Sequence, residues 1–182
     1  MDNPSKIIED GTEYTLGVFD GKEVLYDFDK ILIYLNAKGK LLFGKQFQIY
    51  DRDRDIVFKL CNYFINDKDF CNKENIDPTK GVLLTGPVGC GKTSLMKLIR
   101  HLVPKQRPYQ VIPSRNITFS FNHLGYKTIE EFGKTKGKVK THATTNLNAE
   151  ELEELYGNRV RSRMRDIFNL IAFDKNTNDK RK

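Results

Sequence analysis

The sequence lacks the features that mark membrane, secreted and disulfide-rich proteins. Its longest clean apolar run, Ile31 to Leu35, is far shorter than the roughly 20 residues of a membrane span. The first residues show neither the basic and apolar pattern of a secretory leader nor an arginine-rich amphipathic pattern. Three cysteines without CxxC spacing, Cys61, Cys71 and Cys90, suit a reducing compartment better than a disulfide framework. These absences predict a cytoplasmic protein that does not associate with membranes.

Internal repeats are also missing, and the composition is that of a folded protein. Hydrophobic residues make up 38% and charged residues 30% of the 182 residues, which places the chain in the globular class and not in the disordered one. A chain of this length can bury a core that needs neither a disulfide nor a metal to hold it together.

The charge is unevenly distributed along the chain. Residues 1–80 carry 12 basic and 15 acidic side chains, a net of −3, whereas residues 81–182 carry 19 and 9, a net of +10. A basic half favours an anionic partner such as a nucleotide, a nucleic acid or an acidic protein. The alternative is an ordinary lysine-rich surface in contact with solvent.

Strands and helices alternate along most of the chain. Residues 1–13 are polar and predict a loose segment, and residues 30–44 fit either a short helix or a strand–turn–strand. Apolar residues at helical spacing predict helices over residues 50–67, 92–103, 149–156 and 159–168. Short apolar runs between turn residues predict strands over residues 81–85, 142–147 and 169–174. The alternation predicts an α/β fold with a mostly parallel sheet.

Local signals mark both ends of the helix predicted over residues 149–156. Asn148 and Glu151 have the spacing of a capping box, in which each side chain accepts a hydrogen bond from the backbone of the other. Gly157 follows the last helical position and is the residue type that most often ends a helix. We therefore expect a separate helix to begin after Gly157.

A complete phosphate-binding motif, GxxxxGK[ST], lies between the first predicted parallel strand and the helix that follows it. Its residues are Gly86, Pro87, Val88, Gly89, Cys90, Gly91, Lys92 and Thr93, and the predicted site extends to Ser94. Glycines let successive backbone N–H groups surround a phosphate, and a helix N-terminus adds partial positive charge. Lys92 is expected to contact the β- and γ-phosphates, and the Thr93 hydroxyl to bind Mg²⁺. The alternative is a glycine-rich helix entry with a surface lysine.

Three motifs in this order resemble those of the AAA+ ATPases of the DnaC-like helicase-loader and IstB-like transposition-helper group. They are GVLLTGPVGCGKTSLMKLI at 81–99, THATTNLNAEEL at 141–152 and YGNRVRSRM at 156–164. The resemblance covers residues 50–174 and implies a three-layer P-loop NTPase fold with a mostly parallel sheet. It also implies ATP and Mg²⁺ as ligands. DNA and a replicative helicase or a transposase are the partners that it implies.

The same resemblance assigns roles to residues beyond the phosphate loop. Asn146, with Thr145 beside it, matches the polar residue that senses the γ-phosphate, and the alternative is a turn residue before a helix. Arg163, or Arg159 as the second match, corresponds to the arginine finger that one subunit supplies to its neighbour, which implies self-association. Because the arginines of this run alternate by two, most of them must contact solvent or nucleic acid.

One part of the family pattern, the acidic Walker B strand, is missing. No run of four apolar residues ending in Asp lies between the phosphate loop and Asn146, and Asp174 follows such a run in the wrong order. The interval 104–141 accommodates one strand–helix–strand unit but not two. We therefore expect one central strand to be absent and hydrolysis of ATP to be slow, unless Glu130 or Glu131 serves in place of the missing carboxylate.

These motifs divide the chain into an N-terminal appendage of unassigned role (1–49), a P-loop ATPase-like domain (50–174) and a solvated tail (175–182). The leading hypothesis is a cytoplasmic ATP-binding protein that assists DNA replication or transposition. One alternative is a non-hydrolysing, nucleotide-dependent module that binds DNA or protein. The other is a small P-loop kinase, in which the arginine run at 159–165 would form a phosphate-binding lid.

Overall fold

A computed structural model of the chain describes residues 3–103, 109, 111–112, 122–124 and 140–180. The chain divides into two compact units, the first formed by Met1–Phe70 with Thr93–Arg107 and the second by Cys71–Lys92 with Pro108–Lys182. Within the described ranges, no helix combines the length and the apolar content that crossing a membrane requires.

Two antiparallel strand pairs open the first unit. β1 (Lys6–Glu9) pairs with β2 (Thr12–Thr15), and β3 (Gly17–Phe19) pairs with β4 (Val24–Tyr26). The expectation that residues 1–13 are loose was therefore wrong. Asp10 and Gly11 join β1 to β2 with φ angles of 48° and 74°, the left-handed pair that a two-residue hairpin turn needs. This turn chemistry outweighs the polar composition of the segment.

The segment 30–44, whose sequence fits either a helix or a strand–turn–strand, lies in a helix, α1 (Phe28–Phe43). The Asp27 side chain caps it by accepting hydrogen bonds from the backbone N–H groups of Asp29 and Lys30, at 3.0 and 3.3 Å. The buried residues recur at helical spacing and include Ile31, Leu32, Tyr34 and Leu35. Burial of this one face selects the helix.

Three more helices lie between α1 and the end of the described range 3–103. α2 (Arg54–Ile65) lies after a 3₁₀ turn (Asp51–Asp53) and confirms the helix predicted over 50–67. α3 (Lys68–Lys73) is a short helix, and α4 (Lys92–Ile99) is shorter than the predicted 92–103. The chain continues past α4 with i→i+3 hydrogen bonds of 3.0 Å from the backbone of His101 and of Leu102, a tighter turn than that of an α-helix.

The second unit contains the strands β5 (Gly81–Thr85), β6 (Ala143–Thr145) and β7 (Phe168–Ala172). Among the described residues they form a parallel sheet in the order β6–β5–β7. Every residue of the central strand β5 is buried, as expected for a parallel strand with neighbours on both sides. The structure thus confirms an α/β fold with a parallel sheet, to which the first unit adds small antiparallel pairs.

One long helical segment, α5 (Ala149–Ile167), connects β6 to β7. The capping box is present as predicted: Glu151 N–H donates to the Asn148 side chain at 2.9 Å, and Asn148 N–H donates to the Glu151 carboxylate at 2.7 Å. Gly157 has non-helical angles, φ 77° and ψ 164°, so it interrupts the helix where the sequence predicts an end. α5 is therefore two helical stretches joined at Gly157.

Candidate functional site

The candidate site begins where the central strand ends. Thr85 is paired in register with Thr145 of β6 and with Ala172 of β7, so all three strands end at one edge of the sheet. The segments that follow them begin at Gly86, Asn146 and Phe173. In open parallel sheets, this carboxyl edge is the place where ligands bind.

The phosphate-loop motif forms the first of these segments, directly between β5 and α4. Gly89 and Gly91 have φ angles of 78° and 101°, values that side chains with a β-carbon rarely adopt. Val88 is 54% exposed, whereas the Cys90 side chain is completely buried. The loop is thus anchored through Cys90, whose N–H also donates to the carbonyl of Pro87 at 3.4 Å.

The Lys92 side chain folds back onto the loop that precedes it. Its ammonium donates hydrogen bonds to the backbone carbonyls of Gly86 and Pro87, each at 2.7 Å, and lies 3.6 Å from the Cys90 sulfur. Lys92 is only 7% exposed, so it is not the surface lysine of the alternative interpretation. A buried ammonium needs such partners because an unpaired charge in the interior is costly.

The next two motif residues open α4. Thr93 is exposed and Ser94 is half-buried. Thr93 supplies a hydroxyl oxygen, which is a ligand type that Mg²⁺ accepts. In the part of the chain that the structure describes, no three or more His, Cys, Asp or Glu side chains group so as to hold a metal ion.

Asn146 is exposed and is the first residue after β6. Two hydrogen bonds fix the turn that carries it: the Thr85 hydroxyl donates to the carbonyl of Leu147 at 2.6 Å, and Leu147 N–H donates to the Thr145 hydroxyl at 3.1 Å. The ends of β5 and β6 are therefore tied together. The structure brings Asn146 to the sheet edge from which the phosphate loop begins.

The predicted arginine finger lies in the second stretch of α5. The Arg163 side chain is 86% exposed, and its guanidinium is 3.9 Å from the Asp166 carboxylate, an exposed pairing of little energetic weight. Arg159 is also exposed, whereas Arg161 is paired with Glu153. Arg163 extends into solvent, and its ion-pair partner is a residue of its own helix.

The segment that follows β7, residues 174–180, returns to the phosphate loop. Phe173 N–H donates to the carbonyl of Thr85 at 2.8 Å, and Lys180 N–H donates to the carbonyl of Gly89 at 3.0 Å. Asp179 lies so close to Gly89 that a β-carbon at Gly89 would collide with its carboxylate. The predicted solvated tail is mostly exposed, yet it contacts the loop. No sequence signal indicated this contact.

Two polar side chains that the sequence did not single out support the start of β5. The Asn169 side chain accepts from Asp77 N–H at 2.8 Å and donates to the carbonyls of Asp77 and Gly81 at 2.8 and 3.1 Å. His142 Nδ1 accepts from Val82 N–H at 3.1 Å. Burial, with a smaller contribution from Lys140, lowers the pKa of His142 to about 4. This imidazole is therefore a neutral acceptor at pH 7.

The segment in which the Walker B strand is missing lies largely outside the described residues. Glu130 and Glu131, the predicted substitutes, are among those that the structure does not describe, as are residues 113–121. The described carboxylates that follow the sheet's carboxyl edge on the β7 side are Asp174 and Asp179. Asp174 accepts a hydrogen bond from Asn176 N–H at 2.7 Å and shapes the turn after β7.

Together these features are chemically suited to hold an anion. A glycine-rich loop and the buried ammonium of Lys92 lie at the carboxyl edge of a parallel sheet, and the Asp179 carboxylate lies against Gly89 of the loop. Loops of this kind bind anions through successive backbone N–H groups. Comparisons of the chain with protein-family models, with curated proteins and with solved structures found no match. The function of the site is therefore inferred from its own residues and geometry.

Proposed function

We propose that this chain is a P-loop NTPase of the AAA+ type that binds ATP with Mg²⁺ through residues 86–94. From the resemblance to helicase loaders and transposition helpers, the proposal adds a cytoplasmic role in DNA replication or transposition. One observation carries it: the loop that follows a buried central parallel strand holds the ammonium of its own lysine, Lys92.

Each part of the loop has a distinct task in this proposal. The backbone N–H groups between Gly86 and Gly91 surround the β-phosphate, since the absence of side chains at the glycines lets the phosphate approach the backbone. Lys92 releases the carbonyls of Gly86 and Pro87 and contacts the β- and γ-phosphates. This exchange is favourable because hydrogen bonds between an ammonium and charged oxygens are stronger than those to neutral carbonyls.

The metal depends mainly on the nucleotide. Mg²⁺ keeps several waters and is commonly bound by one or two protein oxygens together with phosphate oxygens. Thr93, with its exposed hydroxyl, fits the role of the protein ligand. When bound, the ion neutralises part of the charge on the phosphates.

The same site favours binding over hydrolysis. Phosphoryl transfer to water needs a residue that aligns the water and a carboxylate that organises the metal. The sequence has no acidic strand of the Walker B type between the phosphate loop and Asn146, and neither Asp174 nor Asp179 precedes the sensor segment in the order that the family requires. This favours the second candidate, a module that uses ATP to change its binding state without turning it over rapidly.

The proposed partners follow from exposed charge. Arg163 is 86% exposed, so its guanidinium is available to the γ-phosphate held by a second copy of the chain, with Asn146 sensing that phosphate from within. The basic half, with its net charge of +10 from 19 basic and 9 acidic residues, suits DNA. A replicative helicase or a transposase is the protein partner that the resemblance implies.

The test is a calorimetric titration of the chain with Mg²⁺·ATP. We expect Lys92→Ala to weaken binding by about 10- to 150-fold, because a charge-assisted hydrogen bond contributes roughly 1.5–3 kcal/mol. Lys97→Ala is the matched control, since Lys97 is an exposed lysine of the same helix, α4. Equal affinity of the wild type and Lys92→Ala, or no binding by the wild type, would refute the proposal.

A further inference from the structure

The geometry around Gly89 points to an intramolecular competitor of the nucleotide, and this inference rests on the proposed function. We propose that the 174–180 segment closes the phosphate loop when no nucleotide is bound, with the Asp179 carboxylate at a phosphate position. ATP binds only after this carboxylate has left. The 174–180 segment would thus regulate the nucleotide site itself, since the segment and the loop Gly86–Lys92 belong to one unit.

The contacts of the segment with the loop are specific. Lys180 N–H donates to the carbonyl of Gly89 at 3.0 Å, which fixes the backbone of the segment against the backbone of the loop. The carboxylate of Asp179 lies at the Cα of the same glycine, within the space of a missing side chain. The Lys180 ammonium lies 5.2 Å from the centre of the Phe173 ring, a distance at which a cation is attracted to the ring face.

The segment also has a fixed base and a part that can move. Phe173 is tied to β5 by its hydrogen bond to Thr85, and Thr177 is 7% exposed with its N–H bonded to the carbonyl of Asp174 at 3.0 Å. Asn178 and Asp179, by contrast, are exposed. Withdrawal of residues 178–180 breaks their contacts with the loop and the contact of the Lys180 ammonium with the Phe173 ring, while the buried base of the segment stays in place.

The Asp179 carboxylate and a phosphate group of ATP exclude each other because both are anions. A concave loop with successive N–H groups attracts an anion, and an aspartate of the same chain is held near it at high effective concentration. Phosphate groups carry more charge and repel a carboxylate at the same place. The apparent affinity for ATP is then reduced by the fraction of molecules in which the loop is open.

The experiment compares Asp179→Asn, and Asp179→Ala as a second variant, with the wild type. Mg²⁺·ATP and inorganic pyrophosphate are titrated calorimetrically, and amide hydrogen exchange of residues 86–91 is measured without ligand. Glu150→Gln is the matched control because it removes one exposed negative charge from the same unit. We expect about tenfold tighter binding of both ligands to the Asp179 variants, faster exchange of the loop amides, and no change in the control.

The outcomes separate the two proposals. Equal affinities of wild type and both Asp179 variants, with binding still weakened in Lys92→Ala, would overturn the competitor and leave the nucleotide site intact. Tighter binding in Glu150→Gln as well would show a general effect of charge and would also overturn it. Absence of binding in every variant would refute the nucleotide site itself, and unchanged loop exchange in the Asp179 variants would then refute the closed loop independently.

Discussion

At the scale of single residues, Lys92 combines a charged ammonium group with a buried position. Its ammonium is almost inaccessible to solvent, and its two hydrogen bonds of 2.7 Å to loop carbonyls offset the cost of desolvation. These acceptors are neutral. The charge of the lysine is therefore held in place but not neutralised by them, so a hydrogen bond from Lys92 to a charged oxygen would be stronger than its bonds to these carbonyls.

His142 lies at the amino-terminal end of β5 and, unlike Lys92, is held in its neutral form. Its Nδ1 accepts a hydrogen bond from the backbone of Val82, so a proton on this nitrogen would remove the bond and bury a charge. Burial of the ring, with a smaller contribution from the nearby charge of Lys140, lowers the pKa to about 4, below the ordinary value of 6.5. In the folded state the ring stays neutral over a range in which the unfolded chain binds a proton.

We predict a loss of stability as the pH falls from 6.5 towards 4. Since the unfolded state binds more protons in this window, its relative free energy falls, by about 3 kcal/mol in total for this residue. Well above pH 6.5, where neither state binds the proton, the contribution is constant. Urea unfolding of the wild type and of His142→Asn at pH 7.5, 6, 5 and 4.5 measures it, because the Asn side chain keeps an oxygen acceptor but does not titrate.

The difference in stability between the wild type and His142→Asn separates the contribution of His142 from those of other titrating groups. His101 also has a lowered pKa, mainly through desolvation, and this contribution is common to both proteins. We expect the stability of His142→Asn to fall less between pH 6.5 and 4.5. Parallel pH profiles would show that His142 is protonated in the folded protein and that the hydrogen bond to Val82 does not hold it neutral.

At the scale of elements, the most complete local design is the start of α5. Asn148 and Glu151 satisfy each other's backbone N–H groups, and Glu150 and Glu151 add negative charge in the first turn, where the helix dipole favours it. Gly157 then interrupts the helix, and the run that contains Arg159 and Arg163 follows. A capped acidic stretch and a basic stretch are thus separated by one glycine.

We predict that Asn148→Ala destabilises the protein by about 1 kcal/mol, since it removes the acceptor for Glu151 N–H. Asn148→Asp, which keeps an acceptor oxygen, should restore the stability. Urea denaturation measures both variants against Glu154→Ala, an exposed position of the same stretch without a capping role. A loss in Asn148→Asp equal to that in Asn148→Ala would contradict the capping role.

Elements were predictable from the sequence where their causes are local. The buried strand β5, the helix α2 and the break at Gly157 lie where periodicity and residue type predict them. The β1–β2 hairpin was missed because its polar strands carry little apolar alternation. The helix predicted over 92–103 is too long because the apolar pattern continues at Leu102 and Val103, whereas α4 ends at Ile99 and the backbone of His101 and Leu102 bonds in a tighter turn. Apolar spacing does not distinguish the two kinds of turn.

At the scale of the whole molecule, the proposed function raises the question of whether bound ATP would be hydrolysed. The sequence contains the complete phosphate-loop motif but no acidic strand of the Walker B type before Asn146. Binding and hydrolysis of ATP make different demands, because binding would use backbone amides and Lys92, whereas hydrolysis needs an aligned water.

We therefore predict that the full chain binds ATP and releases phosphate at a rate at least two orders of magnitude below the roughly 10 per second that is typical of enzymes. A steady-state phosphate-release assay, with and without DNA, measures it. A rate of about 1 per second or more would show that another carboxylate serves. Glu130→Gln and Glu131→Gln, made separately, would then identify it.

The sequence by itself determined the features whose atoms lie close together along the chain. The phosphate-loop motif, the capping box and the Gly157 break each depend on residues within about two helical turns of one another, so their chemistry can be recognised without a fold. Only the tertiary structure decided the strand order β6–β5–β7 and the contacts made across it. His142 bonds to Val82 over 60 positions, and Asn169 bonds to Asp77 over 92. Asp179 reaches Gly89 in the same way. Such pairs leave no periodic or compositional trace, because what brings them together is the burial of the sheet between them and not the preference of either residue.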